Sequence, residues 1–160
     1  VTGGAGTEAA GIASEERDAM RRILVAVDGS ECAQRALEHV IAQARKHPLE
    51  VRLAYANLVP ANYASLRDYL RREENRKFTD SRTRQALGPA ARRLARAKVP
   101  HRAVVLWGDV APQLARAARR LKCDSIVMGT RGMGAVGNLL LGSVAAKVVH
   151  LSHVPVTLVR

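Results

Sequence analysis

Ser125-Ile126-Val127-Met128-Gly129-Thr130-Arg131-Gly132, followed after a short interval by Gly142-Ser143, decides how this chain is read. The apolar run is short and unbroken, the mark of a strand buried on both faces. Glycine ends it, a second glycine follows three residues later, and the Gly-Ser pair opens a helical pattern. Strand, glycine-bearing loop and helix start together make a backbone that can approach an anion. Glycine lacks the Cβ that would collide, and the N–H groups of a first helical turn are unpaired and partially positive.

The same grammar recurs upstream. Residues 22–27 form another apolar run, closed by Asp28-Gly29-Ser30, with Ser30 placed to cap a helix. In that helix Ala33, Ala36, Leu37, Val40, Ile41 and Ala44 share one face until His47-Pro48 stops it. Residues 51–58 alternate as a second strand. Residues 62–98 read as mainly helical, with apolar stripes at Leu66, Tyr69, Leu70 and at Leu87, Ala90, Ala91, Leu94. Gly88-Pro89 is expected to kink or interrupt that helix, and residues 71–82 to form a mobile connection. Residues 102–107 are a third strand. Asp109 is expected to cap a helix carrying Pro112 in its first turn and Leu114, Ala117, Ala118 and Leu121 on one side. Residues 125–128 and 154–159 supply the last two strands, separated by a helix with Leu141, Val144, Ala145 and Val148 along one side. Five strands alternating with crossovers long enough for helices predict an α/β fold: a doubly wound, five-stranded parallel sheet.

Composition agrees. Of 160 residues 48% are apolar and only 3% aromatic, which suits a Val/Leu/Ile sheet under alanine-rich helices. Residues 1–20 are rich in Gly, Ala and Thr, lack a signal-peptide pattern, and are expected to be a flexible tail preceding one domain over 21–160. The tail holds Glu8, Glu15, Glu16 and Asp18 against Arg17, although the whole chain carries +12. No apolar stretch reaches the ~20 residues of a membrane span, so no membrane insertion is expected, and two cysteines without a secretion signal point to reduced thiols in a cytoplasm. Cys32 and Cys123 lack C-x-x-C spacing and read as buried structural thiols. His150 and His153 fall three apart without a carboxylate or thiolate partner, so no metal site is assigned.

The charge has its own reading. Arginines and lysines crowd residues 67–98 and the helix with Arg116, Arg119, Arg120 and Lys122, as a phosphate-binding face would. Stacking aromatics are scarce and no nucleic-acid reading motif is present, so nucleic acid is an unlikely partner.

Ligands of open parallel sheets bind beyond the carboxyl ends of the strands, where the winding reverses. With strand order 3-2-1-4-5 that point lies between strands one and four, where Asp28-Gly29-Ser30 meets the segment 129–143. Asp28 there is either an acceptor for an amino or hydroxyl group or simply part of a capping turn. Gly132-Met133-Gly134-Ala135-Val136-Gly137 satisfies G-x-G-x-x-G, but it follows the fourth strand and lacks the acidic residue a dinucleotide site needs. No G-x-x-x-x-G-K-[ST] occurs.

Gly129-Thr130-Arg131-Gly132, then Leu139-Leu140-Leu141-Gly142-Ser143-Val144-Ala145 and Val154-Pro155-Val156, resemble the universal stress protein family, as does the opening 23–30. The spacing G-x2-G-x9-G-[ST] is similar to that of its ATP-binding branch. The resemblance covers nearly all of 21–160 and implies an adenine nucleotide α-hydrolase-like fold and a homodimer paired through the last strand. It implies ATP as the bound nucleotide, with Mg2+ bridging the phosphates. By position, Asp28 and Ala56 would face the adenine, and Met128, Gly129 and Gly132, with Arg131, would line the nucleoside side. Gly142, Ser143 and Val144 would hold phosphates. Ala56 is smaller than the family's usual aliphatic residue there, and Asn138 replaces a common basic one. Only Asp28 is an obvious carboxylate in that pocket, joined by Asp109 only if its loop folds over, so no catalytic residue is assigned. The expected role is a nucleotide-dependent sensor or regulator in stress response, with little or no ATP hydrolysis. The alternative is a basic nucleic-acid- or partner-binding protein whose glycine loop is structural.

Overall fold

In the computed structural model, which describes residues 20–59, 64–132 and 141–160, five parallel strands lie side by side in the order β3-β2-β1-β4-β5. They are β1 (Arg21–Ala26), β2 (Leu49–Asn57), β3 (His101–Trp107), β4 (Ser125–Gly129) and β5 (Val156–Val159). The helices are α1 (Glu31–Ala44), α2 (Leu66–Arg71), α3 (Glu73–Arg96), α4 (Val110–Arg120) and α5 (Ser143–Leu151). The doubly wound parallel sheet read from the sequence is therefore the observed one, strand order included. The N-terminal tail and the G-x-G-x-x-G stretch beyond Gly132, with Asn138, lie outside the described residues.

Side chains of a strand alternate between faces, and β1 is apolar on both. Ile23, Val25 and Val27 enter one core layer with Leu37 and Val40 of α1 and Leu87 and Leu94 of α3. Leu24 enters the other, with Leu114 and Ala118 of α4, Ile126 and Met128 of β4, and Val148 of α5. Each such fully buried aliphatic side chain contributes about 1.5–3 kcal/mol. Register fixes the sheet's centre: Val25 of β1 stands opposite Leu53 of β2 on one side and Val127 of β4 on the other.

Ser30 caps α1 as expected, its Oγ accepting the Ala33 N–H at 3.2 Å. Three expectations are corrected. Residues 71–82 are no loose connection, because α3 starts at Glu73 with Arg72 alone between it and the end of α2. Asn75 Nδ2 closes that joint by donating to Tyr69 O at 2.9 Å, and Tyr69 and Thr79 are both buried there. Pro89 does not interrupt α3, which runs on to Arg96. Pro89 and Gln85, whose carbonyl loses its usual partner, both face solvent, while Ala86, Leu87, Ala90 and Leu94 hold the opposite side on the sheet. Finally, Leu141 precedes α5 and is exposed, and Val144 is exposed too, so Ala145 and Val148 alone bury that helix.

Candidate functional site

A cavity of about 530 Å3 opens at the carboxyl ends of β1, β2 and β4, at the reversal of winding. Its size falls within the usual range of small-molecule pockets. The nine residues that the resemblance assigns to the nucleotide all line it. Asp28 comes from the turn after β1 and Ala56 from β2. Met128 and Gly129 end β4, and Arg131 and Gly132 begin the loop beyond it. Gly142 is the N-cap of α5, and Ser143 and Val144 are its first two residues.

Asp28 is half-buried, and its Oδ1 accepts the Ser30 N–H at 2.9 Å. It therefore fastens the turn as well as facing the cavity, which joins the two readings left open above. Among the described residues it is the only acidic lining group and Arg131 the only basic one. Asp109, placed as the N-cap of α4, makes no side-chain capping bond and does not line the cavity.

The glycines divide by task. A Cβ on Gly129 would stand 2.6 Å from Cys32 Cβ and 2.8 Å from the Cys32 carbonyl carbon. This glycine lets β4 pass beneath the start of α1. On Gly132 the same atom would meet Asp28 Oδ2 at 2.6 Å, at the cavity wall. Gly142 closes the loop: its N–H donates to Thr130 O at 2.7 Å, while the Thr130 N–H donates to Val159 O of β5 at 2.8 Å. With the Gly142 amide so used, the donors at this end are those of Ser143, Val144 and Ala145. No described side chain caps α5, and its first bonded amide is that of Ala146, given to Gly142 O at 3.0 Å.

Several lining residues were not picked out in the sequence. Val110 and Leu114 of α4 and Ala33 of α1 wall the cavity. Their apolar spacing marked them as core, and only the crossover geometry carries them to the switch point. Thr130 also lines it, buried, with an Oγ1 lacking a partner among the described residues.

An open parallel sheet with a mostly apolar cavity at its switch point, rimmed by an uncapped helix start, is an α/β domain with its cavity where such sheets commonly take ligands. The Universal stress protein family model matches residues 20–160, and the chain belongs to that family. It is 38% identical over 141 residues to a universal stress protein of Thermus aquaticus, covering 88% of this chain and 98% of the relative. Its fold is similar to that of universal stress protein UspA from Lactobacillus plantarum, with a TM-score of 0.74 and 21% identity over 88% of this chain and 97% of that one. It is also similar to an Arabidopsis thaliana universal stress protein family protein with AMP bound, with a TM-score of 0.64 and 20% identity over 87% and 90% of the two chains.

Proposed function

We propose that this chain binds an adenine nucleotide, ATP in the first place, in the cavity between β1 and β4, and that occupancy regulates its conformation or partners during stress. The observation that carries this reading is the uncapped start of α5 in the cavity wall. Ser143, Val144 and Ala145, whose amides precede the first bonded amide of α5, all line the cavity beside apolar residues. Such a group suits phosphate oxygens. Met128 and Ala56 offer apolar surface to a base, and Asp28 an acceptor for its amino group or for a ribose hydroxyl. The AMP-bound relative of the same fold supports the choice of an adenine nucleotide.

A Mg2+ ion fits as a companion of the phosphates. Mg2+ is commonly held by one or two carboxylates together with substrate phosphates and water. Asp28 is the carboxylate within the lining, and among the described residues no group of three potential metal ligands exists. Bound there, the ion would neutralise phosphate charge. A single carboxylate, already engaged by the Ser30 amide, gives little means of holding a metal and orienting a water together, so hydrolysis is slow or absent. No described helix is long and apolar enough to cross a membrane. The reading places the protein in the cytoplasm as a homodimer joined along β5, which forms one edge of the sheet.

Ser143→Pro tests the amide cradle directly. Proline is favoured at the first helical position, and Gly142 already has φ −75 and ψ 155, which a following proline tolerates. The variant should fold normally yet lose one charge-assisted donor, weakening Mg·ATP about 10- to 100-fold in calorimetry. Ser143→Ala, which keeps the amide, should lose much less. Equal affinity in wild type and Ser143→Pro would refute the cradle.

A further inference from the structure

A second cavity, of about 720 Å3, runs along the outer side of α4, away from the nucleotide site. Its apolar part includes Leu106 at the end of β3 and Leu151 at the end of α5. Arg116, Arg119, Arg120 and His153 stand around it, and among the described residues no acidic one lines it. None of the three arginines takes part in an ion pair among the described residues. A groove with an apolar floor and unbalanced cations selects an acidic, partly apolar segment.

The chain contains one. Residues 1–19 hold four of its 14 acidic residues, Glu8, Glu15, Glu16 and Asp18, against a single Arg17, together with Ile12 and several alanines. The place where that segment joins the domain is fixed by hydrogen bonds. The Arg22 N–H donates to Asp124 Oδ2 at 2.6 Å, and Arg22 Nη1 donates to Leu121 O at 3.1 Å. The start of β1 therefore lies beside the end of α4, with Arg22 bonded to Leu121, one residue beyond Arg120. Nineteen residues reach up to roughly 60 Å, whereas α4, with 11 residues, is about 16 Å long. Tethering also raises the local concentration of the segment to the millimolar range.

We propose that residues 1–19 dock in this groove within the same chain. The acidic side chains lie against Arg116, Arg119 and Arg120, and the apolar ones against Leu106 and Leu151. The docked segment masks the basic side of α4 from other anionic partners.

The test uses the full chain, spin-labelled at Glu8→Cys; Cys32 and Cys123 are buried and remain unlabelled. Amide signals of Leu106, Gln113 and Arg116, remote from the junction, should broaden selectively at low salt. They should sharpen at roughly 1 M salt, where the screening length falls to ~3 Å. They should also sharpen in Arg116→Glu/Arg119→Glu/Arg120→Glu. Should that variant fail to fold, Glu15→Lys/Glu16→Lys/Asp18→Lys alters only the segment and must have the same effect. Uniform broadening over the surface, or selective broadening indifferent to salt and to both charge reversals, overturns the proposal. So does broadening that arises only between molecules when labelled and isotope-enriched chains are mixed, since the occupant would then be a second copy.

Discussion

The two ends of the sheet solve opposite problems with charge. At the amino ends of the strands, Arg22 donates to Glu50 Oε1, and Arg52 Nη2 donates to the same oxygen at 2.9 Å. Asp124 takes the Arg22 amide, and Leu121 O takes one of its guanidinium nitrogens. The Glu50 carboxylate beside it, through its hydrogen bond first, raises the Arg22 guanidinium above its ordinary value. Apart from Arg52 Nη1, which has no partner among the described residues, this end satisfies itself. At the carboxyl ends, among the described residues, one carboxylate and one guanidinium line an apolar cavity, and a helix starts there without a side-chain cap. Polar groups that close on one another make a floor, and an uncapped helix start beside apolar walls makes a receptor.

The sharpest way to break this comparison is to show that the glycines at the open end are interchangeable. Gly129→Val would press side-chain atoms into the Cys32 and Ala33 backbone, which cannot yield without moving α1. The expected cost is about 3 kcal/mol, the upper part of the overpacking range. For a chain of this size that lowers Tm by roughly 6–12 °C. Thermal unfolding matching the wild type would deny Gly129 its packing role. Among the described residues Gly132→Val meets the end of the Asp28 side chain, whose displacement costs at most the turn bond to the Ser30 amide, about 1 kcal/mol. Stability should stay within about 1 kcal/mol, while nucleotide affinity falls at least tenfold, about 1.4 kcal/mol. Full affinity in Gly132→Val would remove that wall from the site.

At the closed end, Glu50→Gln leaves Arg22 and Arg52 facing a neutral acceptor. Their side chains are partly accessible, so solvent takes up some of the loss, and about 1–2 kcal/mol is expected. Urea midpoints of wild type and variant measure it. Nucleotide binding, at the other end of the strands, should not change.

Much of this architecture was legible because its signals are local. Runs such as 22–27 and 125–128 are apolar on both faces, and only a covered parallel sheet accommodates that. Strand order entered as a premise: taken as 3-2-1-4-5 it brings the polar turns after β1 and β4 together, and the sheet has that order. What failed to show were properties of contact. Pro89 reads as a helix breaker until the opposite side of α3 is seen to be held by Leu87 and Leu94. Val144 reads as core by its spacing, yet it lies in the cavity wall. That Gly129 and Gly132 serve different ends cannot be read from their spacing, since a clash belongs to a neighbour 97 residues away, as with Cys32 and Gly129. The Gly142 amide, expected to face phosphate, is spent on Thr130, which only three-dimensional closure of the loop reveals.

Cys123 provides the finest probe of the closed end. It is buried at the entry to β4, and burial pushes its thiol up to about 11 from an ordinary 9.0, against the lowering influence of Arg52 and Arg22. The unfolded chain releases this proton near pH 9 and the folded one only near 11, so the unfolded state binds fewer protons in between. The stability owed to the protonated thiol is complete below pH 9 and drains away between pH 9 and 11. Its slope approaches about 1.4 kcal/mol per pH unit. Subtracting the urea-derived stabilities of Cys123→Ala from those of wild type at pH 8, 9 and 10 isolates this slope from that of the lysines and tyrosines. At pH 8 the thiolate fraction should be roughly 100-fold below that of an ordinary cysteine, and alkylation of the native protein at Cys123 correspondingly slow. A flat difference between the two proteins, with rapid labelling at Cys123, would mean that water reaches the paired charges beneath β4, and the contrast between the two ends of the sheet would fail at its supposedly sealed side.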